Sequence, residues 1–119
     1  MLKLKWRLNL HQRKTRLSNF VNQVLISGVV SRDPQTRKTP AGIPITRFTL
    51  AHESAQKEAG LARQVELKIV VIVTGKDLQI QLTGVTTGSS ITVKGFLNKS
   101  VFRGQDVKLV IHAESITKE

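Results

Sequence analysis

Between Asn22 and Thr117 the apolar residues fall into short blocks with a period of two, separated by glycine, proline and polar clusters. No other feature constrains the fold as strongly, because a period of two belongs to strands whose two faces meet different surroundings. Ile91, Val93, Gly95 and Leu97 share one side of such a block; Thr92, Lys94, Phe96 and Asn98 share the other. The blocks run over Asn22 to Ser31, Ile45 to Ala51, Arg63 to Thr74, Ser90 to Lys99 and Val107 to Thr117. Gly28, inside the first, marks a bulge or sharp bend of the kind a small barrel needs at a corner. One segment breaks the pattern: Leu78 and Leu82 stand at i, i+4 and predict a short helix over Lys76 to Thr83. Arg32 to Pro44 holds Asp33-Pro34, Pro40 and Gly42-Ile43-Pro44, and reads as a long turn-rich connection. His52 to Gly60 reads as a polar loop and Ser100 to Asp106 as a basic one.

Three strands, a short helix and two further strands make an all-β chain. The order fits the OB-fold, a five-stranded Greek-key barrel, with its helix between strands 3 and 4. A small sandwich or an SH3-like barrel shares the strand spacing; the single helix in fourth place favours OB. At 119 residues the chain holds one modest core. Residues 20–119 are expected to form it.

Residues 1–19 differ in character. They carry six of the 19 lysines and arginines (Lys3, Lys5, Arg7, Arg13, Lys14, Arg16) and no acid. Leu2, Leu4, Trp6, Leu8 and Leu10 alternate with polar residues there, a strand-like pattern whose apolar face lacks a cover. Such a leader adds to a sheet edge, lies on an anionic surface, or stays disordered; a later translation start is a fourth reading. A flexible extension is the default expectation.

Charge and composition then limit function. The net charge of +11 points to a polyanionic partner. There are no cysteines, so disulfides, Cys-ligated zinc and thiol chemistry are excluded. His11, His52 and His112 lack metal-ligand spacing, and no cofactor is expected. No phosphate-cradling glycine loop or nucleophile elbow is present. Glu53 and Glu58 lie in a polar segment with no apolar pocket to tune them. The expectation is a binding protein and not an enzyme. No apolar run reaches the roughly 20 residues of a membrane span, and the basic N-terminus lacks the continuous apolar stretch of a signal peptide, so a cytoplasmic location is expected.

Alternation also proposes a binding face. Phe96 and Lys94 share the solvent side of the fourth strand, where a ring gains from base stacking worth about 1–3 kcal/mol; the competing reading packs Phe96 under a loop. Arg47 and Lys68 point the same way on the second and third strands, giving a stripe of Arg47, Lys68, Lys94 and Phe96. In the third strand Val65, Leu67, Ile69, Val71 and Val73 are assigned to the core. Val70 and Ile72 make Ile69 to Val73 apolar on both sides, which a covering helix or a subunit interface would explain. The last loop places Phe102 beside Arg103, flanked by Lys99 and Lys108, a set suited to clamping a strand through phosphates and one ring. Arg37 and Lys38 in the first long loop are weaker candidates. His112 reads as a structural residue of the last strand.

The segments LISGVVSRDPQTRKTPAGIPITRFTLAHES, EAGLARQ, VIVTG, GSSITVKGFL and LVIHAESI resemble the primosomal replication protein N (PriB) family over about residues 22–117. The resemblance implies an OB-fold homodimer that binds single-stranded DNA in restarting stalled replication forks, with PriA helicase, DnaT and single-stranded DNA-binding protein as partners. It places the family's basic binding positions at Arg37 in the first long loop and at Val101, Arg103 and Lys108 in the last, of which Val101 is not basic. It also departs from the family: Leu61 and Glu66 stand where members often carry aromatics, so binding here leans on Lys and Arg. An RNA-binding OB protein, which the charge also fits and only the family match argues against, is one alternative; two more accompany this reading. One is a general single-stranded DNA-binding protein, disfavoured because the chain ends at Thr117-Lys118-Glu119 without a glycine-rich linker and acidic tip. The other is a helicase adaptor with weak DNA binding.

Overall fold

The computed structural model describes residues 20–100 and 107–119. Six strands and one helix follow in the order β1 (Val24–Val30), β2 (Gln35–Lys38), β3 (Pro44–Glu58), β4 (Leu61–Thr74), α1 (Lys76–Gln81), β5 (Ser90–Ser100) and β6 (Lys108–Lys118). Five of the strands close a barrel. β1 pairs antiparallel with β5, β5 with β6, β6 runs parallel to β4, β4 pairs antiparallel with β3, and β3 returns to β1. This is the expected OB barrel, with α1 between its third and fourth long strands.

Closure depends on two glycines. β1 pairs with β5 from Val24 to Val29, and with β3 through Val29 and Val30. The switch brings Gly28 so close to β3 that a Cβ would sit on the Ala51 carbonyl oxygen. Gly95 lies where β5 shifts register against β6, and a Cβ there would meet the His112 carbonyl oxygen. Both are sites where a missing side chain permits close backbone approach.

The core gathers Val30, Phe48, Leu50, Val71, Val73, Val85, Ile91, Val93, Ile111, Ala113 and Ile116, with Leu78 and Leu82 packed against it from α1 and the turn that follows. Fully burying an aliphatic side chain contributes roughly 1.5–3 kcal/mol, so this cluster is what holds the barrel. The alternation assigned to the fourth block is correct: Ile91, Val93 and Gly95 are buried and Leu97 is half-buried. The one buried polar side chain among the described residues, Thr46, is satisfied. Its hydroxyl donates to Gln79 Oε1 at 2.6 Å and lies 2.7 Å from the Thr36 hydroxyl. Gln79 Nε2 donates to the Val73 carbonyl, and Gln81 Oε1 accepts from the Ile116 amide. Side-chain amides thus fix a six-residue helix too short to be stable alone.

Three expectations are corrected. The connection from Arg32 to Pro44 contains β2, which pairs with the start of β3. All four of its residues are exposed, so no apolar period reveals it. The segment from His52 to Gly60 is not a loop. β3 continues to Glu58 and meets Leu61 of β4 across Ala59-Gly60. Those two residues have φ of 53° and 77°, the doubly left-handed signature of a tight type I′ hairpin turn. The arm they close projects beyond the barrel. Val65 and Leu67, assigned to the core, lie on this arm; Val65 is half-buried and Leu67 is 39% exposed.

Candidate nucleic-acid interface

Strand register builds one continuous outer face. Gln35 pairs with Arg47, Arg47 with Ile72, Ile72 with His112 and His112 with Phe96, so a single row crosses β2, β3, β4, β6 and β5. The adjacent row joins Thr49, Val70, Val110 and Asn98. Beyond it lie Ala51 with Lys68, and Lys108 with Ser100. A groove of about 480 Å³ runs here, with Thr49, Lys68 and Val70 on one side and Lys108 and Val110 on the other. Val70 and Ile72 are half-buried within this face, which gives their apolar character a use as the floor between cations.

At one end of the first row the Phe96 and His112 rings stack, with centroids 5.1 Å apart and planes 7° from parallel. Phe96 is 38% exposed, and His112 is half-buried. The ring of Phe96 therefore has a neighbour on one side and does not stand alone. His112, read from the sequence as a structural residue of the last strand, belongs to this outer platform. Its signal was its place one strand from Phe96, which only the pairing of β5 with β6 reveals. Toward the other end of the row the Arg47 guanidinium donates to Ser100 Oγ at 3.4 Å.

The expected site residues divide clearly. Arg47, Lys68, Lys108 and Phe96 share the outer face. Arg37 joins it at the rim, on β2 opposite Ile45. Lys94 lies on the same side of β5 as Phe96, flanked by Leu25 of β1 and Ser115 of β6. Lys99 alternates to the opposite side and is exposed beyond the end of the barrel, opposite Leu109. Phe102 and Arg103 lie outside the described residues, as does the leader, residues 1–19. The turn before β5 is anchored from the first connection: the Thr87 amide and hydroxyl both donate to Asp33 Oδ1, at 2.8 and 2.6 Å. These bonds, the hydroxyl's first, hold the Asp33 carboxyl below its ordinary value. Among the described residues no group of His, Asp and Glu is placed to hold a metal, and no helix is long and apolar enough to cross a membrane.

A closed OB barrel with one outward face of cations, apolar floor and a stacked ring pair defines a class, the small single-strand-binding barrels. A family model described as another single-strand binding protein family matches residues 22–115. The chain is 43% identical over 95 residues to the replication restart protein PriB of Photorhabdus laumondii, covering 80% of this chain and 90% of that one. It is 42% identical over 97 residues to replication restart protein PriB of Shigella dysenteriae, covering 82% and 93%. Among solved structures, PriB from Ralstonia solanacearum superposes with a TM-score of 0.68 at 26% identity, over 84% of this chain and all of that one. The single-stranded DNA binding protein from Thermus aquaticus gives 0.68 at 26% identity, over 83% of this chain and 50% of its own. The chain belongs to the PriB family of replication restart proteins.

Proposed function

We propose that this chain binds single-stranded DNA on the outer face of β2 to β6 and serves replication restart as an accessory protein, without catalysis of its own. The observation that carries the reading is the row from Arg47 through Ile72 and His112 to Phe96, bordered by the groove between Lys68 and Lys108. Cations engage phosphates with release of counterions, and a ring pair offers stacking area to a base of any sequence. A duplex hides its base faces, so the platform favours an unpaired strand. Arg37 extends the cationic path at the β2 rim and Lys94 along β5. Phe102, Arg103 and Lys99 belong to the same proposal as the clamp of the last loop. The restart helicase PriA, DnaT and single-stranded DNA-binding protein are the partners in this reading, the cytoplasm its location and a homodimer its form.

Fluorescence anisotropy of a labelled oligothymidine, against a duplex and an RNA of equal length at several salt concentrations, tests it. A clear preference for single-stranded DNA with a steep salt slope is the expected result. No preference, or no binding near physiological salt, overturns it in favour of an adaptor that meets a helicase through its basic surface.

A further inference from the structure

On the outer face of the β3–β4 arm, Glu53 and Glu66 are direct cross-strand partners. Opposed residues in an antiparallel pair hold their Cβ atoms about 5 Å apart, where like charges repel. Both side chains are exposed. Among the described residues neither carboxylate forms an ion pair; the single one there joins Arg63 to Glu58 at the tip of the arm. The row before this pair is Ala51 with Lys68, and the row after it is Ala55 with Gln64. Along one ladder the outer face thus changes from cationic at Lys68 to doubly anionic within two residues, about 7 Å of strand. The Debye length at physiological salt is about 8 Å, so a phosphate seated at Lys68 lies within range of both carboxylates.

We propose that Glu53 and Glu66 end the nucleic-acid track, turning a bound strand off the sheet at Lys68 and keeping it from the arm beyond. The inference rests on the outer face being the single-stranded DNA site, and it concerns how many nucleotides that site holds. The arm past the acidic pair would otherwise prolong the track: Ala55, Lys57, Ala62 and Gln64 continue the same side of the ladder without another acid. A strand advancing there must carry its phosphates past two negative charges, neither of which forms an ion pair among the described residues. The acidic pair therefore sets a length limit that the shape of the arm alone does not.

The test measures occluded site size and affinity of the full chain on a length series of oligothymidines at low salt. The proteins are the wild type, Glu66→Gln, the double variant Glu53→Gln/Glu66→Gln, and Asp77→Asn as a control of equal charge change to the single variant. Asp77 lies in the first turn of α1, away from the ladder. The double variant should hold a longer oligonucleotide and bind the longest about sevenfold more tightly, the scale of two unit charges at about 7 Å in water. Glu66→Gln should do part of this. Asp77→Asn should leave the site size unchanged. An unchanged site size in the double variant overturns the inference, and so does an equal gain from Asp77→Asn, which would make the effect one of net charge. Failure of the wild type to bind any oligothymidine refutes the underlying site, a result distinct from binding with an unaltered length limit.

Discussion

Phe96 and His112 face each other across the β5–β6 ladder and stack with planes 7° from parallel, so the most exposed ring of the outer face is half of a pair. The imidazole stacks beside the phenyl group, and Phe96 stays 38% exposed, enough to meet a base. Removing a stacking ring costs about 1–3 kcal/mol of binding. With the ring already partnered by His112 the lower half of that range applies. Phe96→Ala should weaken oligothymidine binding about five- to thirtyfold, and Phe96→Trp should retain it. His112→Ala, which leaves the phenyl ring without its support, should cost less than Phe96→Ala but more than a surface change elsewhere. Anisotropy titrations measure all three. Wild-type affinity in a folded Phe96→Ala protein would remove the platform from the site.

Lys68 and Lys108 flank one groove, whereas Lys99 alternates to the other side of β5. The salt dependence of binding separates them. For single strands the slope of log K against log salt changes by about 0.7 for each phosphate that the protein ceases to neutralise. Lys68→Gln and Lys108→Gln should each flatten the slope by about that amount. Lys99→Gln should flatten it less, because Lys99 lies across β5 from the groove and reaches the strand only through the proposed clamp. An unaltered slope in the Lys68→Gln/Lys108→Gln double variant would show that the groove is not the phosphate path.

Gly28 and Gly95 are the two points where the barrel allows no Cβ. Elsewhere a Gly→Ala change with compatible backbone gains about 0.4–1 kcal/mol by restricting the unfolded chain. At these positions the methyl group meets carbonyl oxygens of neighbouring strands, Ala51 for Gly28 and His112 for Gly95. Overpacking of this kind costs about 1–3 kcal/mol. Each substitution should lower the denaturation midpoint in urea. Gly95→Ala should also weaken DNA binding, because the displaced backbone is that of His112. A midpoint at or above wild type for either variant would mean that the strands part there without cost.

The barrel was legible because its strands bury one face. Ile91, Val93 and Leu97 alternate with polar neighbours, and Leu78 with Leu82 marked the helix. What the sequence hid was structure made of backbone pairing alone. β2 is four exposed polar residues, and the far half of β3 is His52 to Glu58, so neither carries an apolar period. Their pairing follows from the tight turn at Ala59-Gly60 and from the edge that β3 offers. Site residues were legible by face but not by neighbourhood. Alternation put Phe96, Lys94, Arg47 and Lys68 outside, yet the ring pair with His112 and the opposed Glu53 and Glu66 depend on register between strands, which no single block encodes.

Asp33 links the first connection to the turn before β5, and its charge state sets a pH dependence of known sign. The hydroxyl and amide of Thr87 hold the carboxyl below its ordinary value of 3.8. In the unfolded chain these bonds are absent and the group titrates at its ordinary value. A folded value below the unfolded one means that the folded state favours the carboxylate. The stability it contributes is complete above the unfolded value and is lost as pH falls through the folded one. Asp33→Asn keeps an acceptor oxygen for Thr87 but has no proton to gain. Urea denaturation of both proteins from about pH 7 down to about pH 2 should therefore show the wild type more stable at neutral pH, with the difference shrinking only in the acid range below about 4. A difference that stays constant through that range would mean that the Thr87 bonds do not discriminate between the two charge states. One that changes near pH 6–7 would point to a histidine instead.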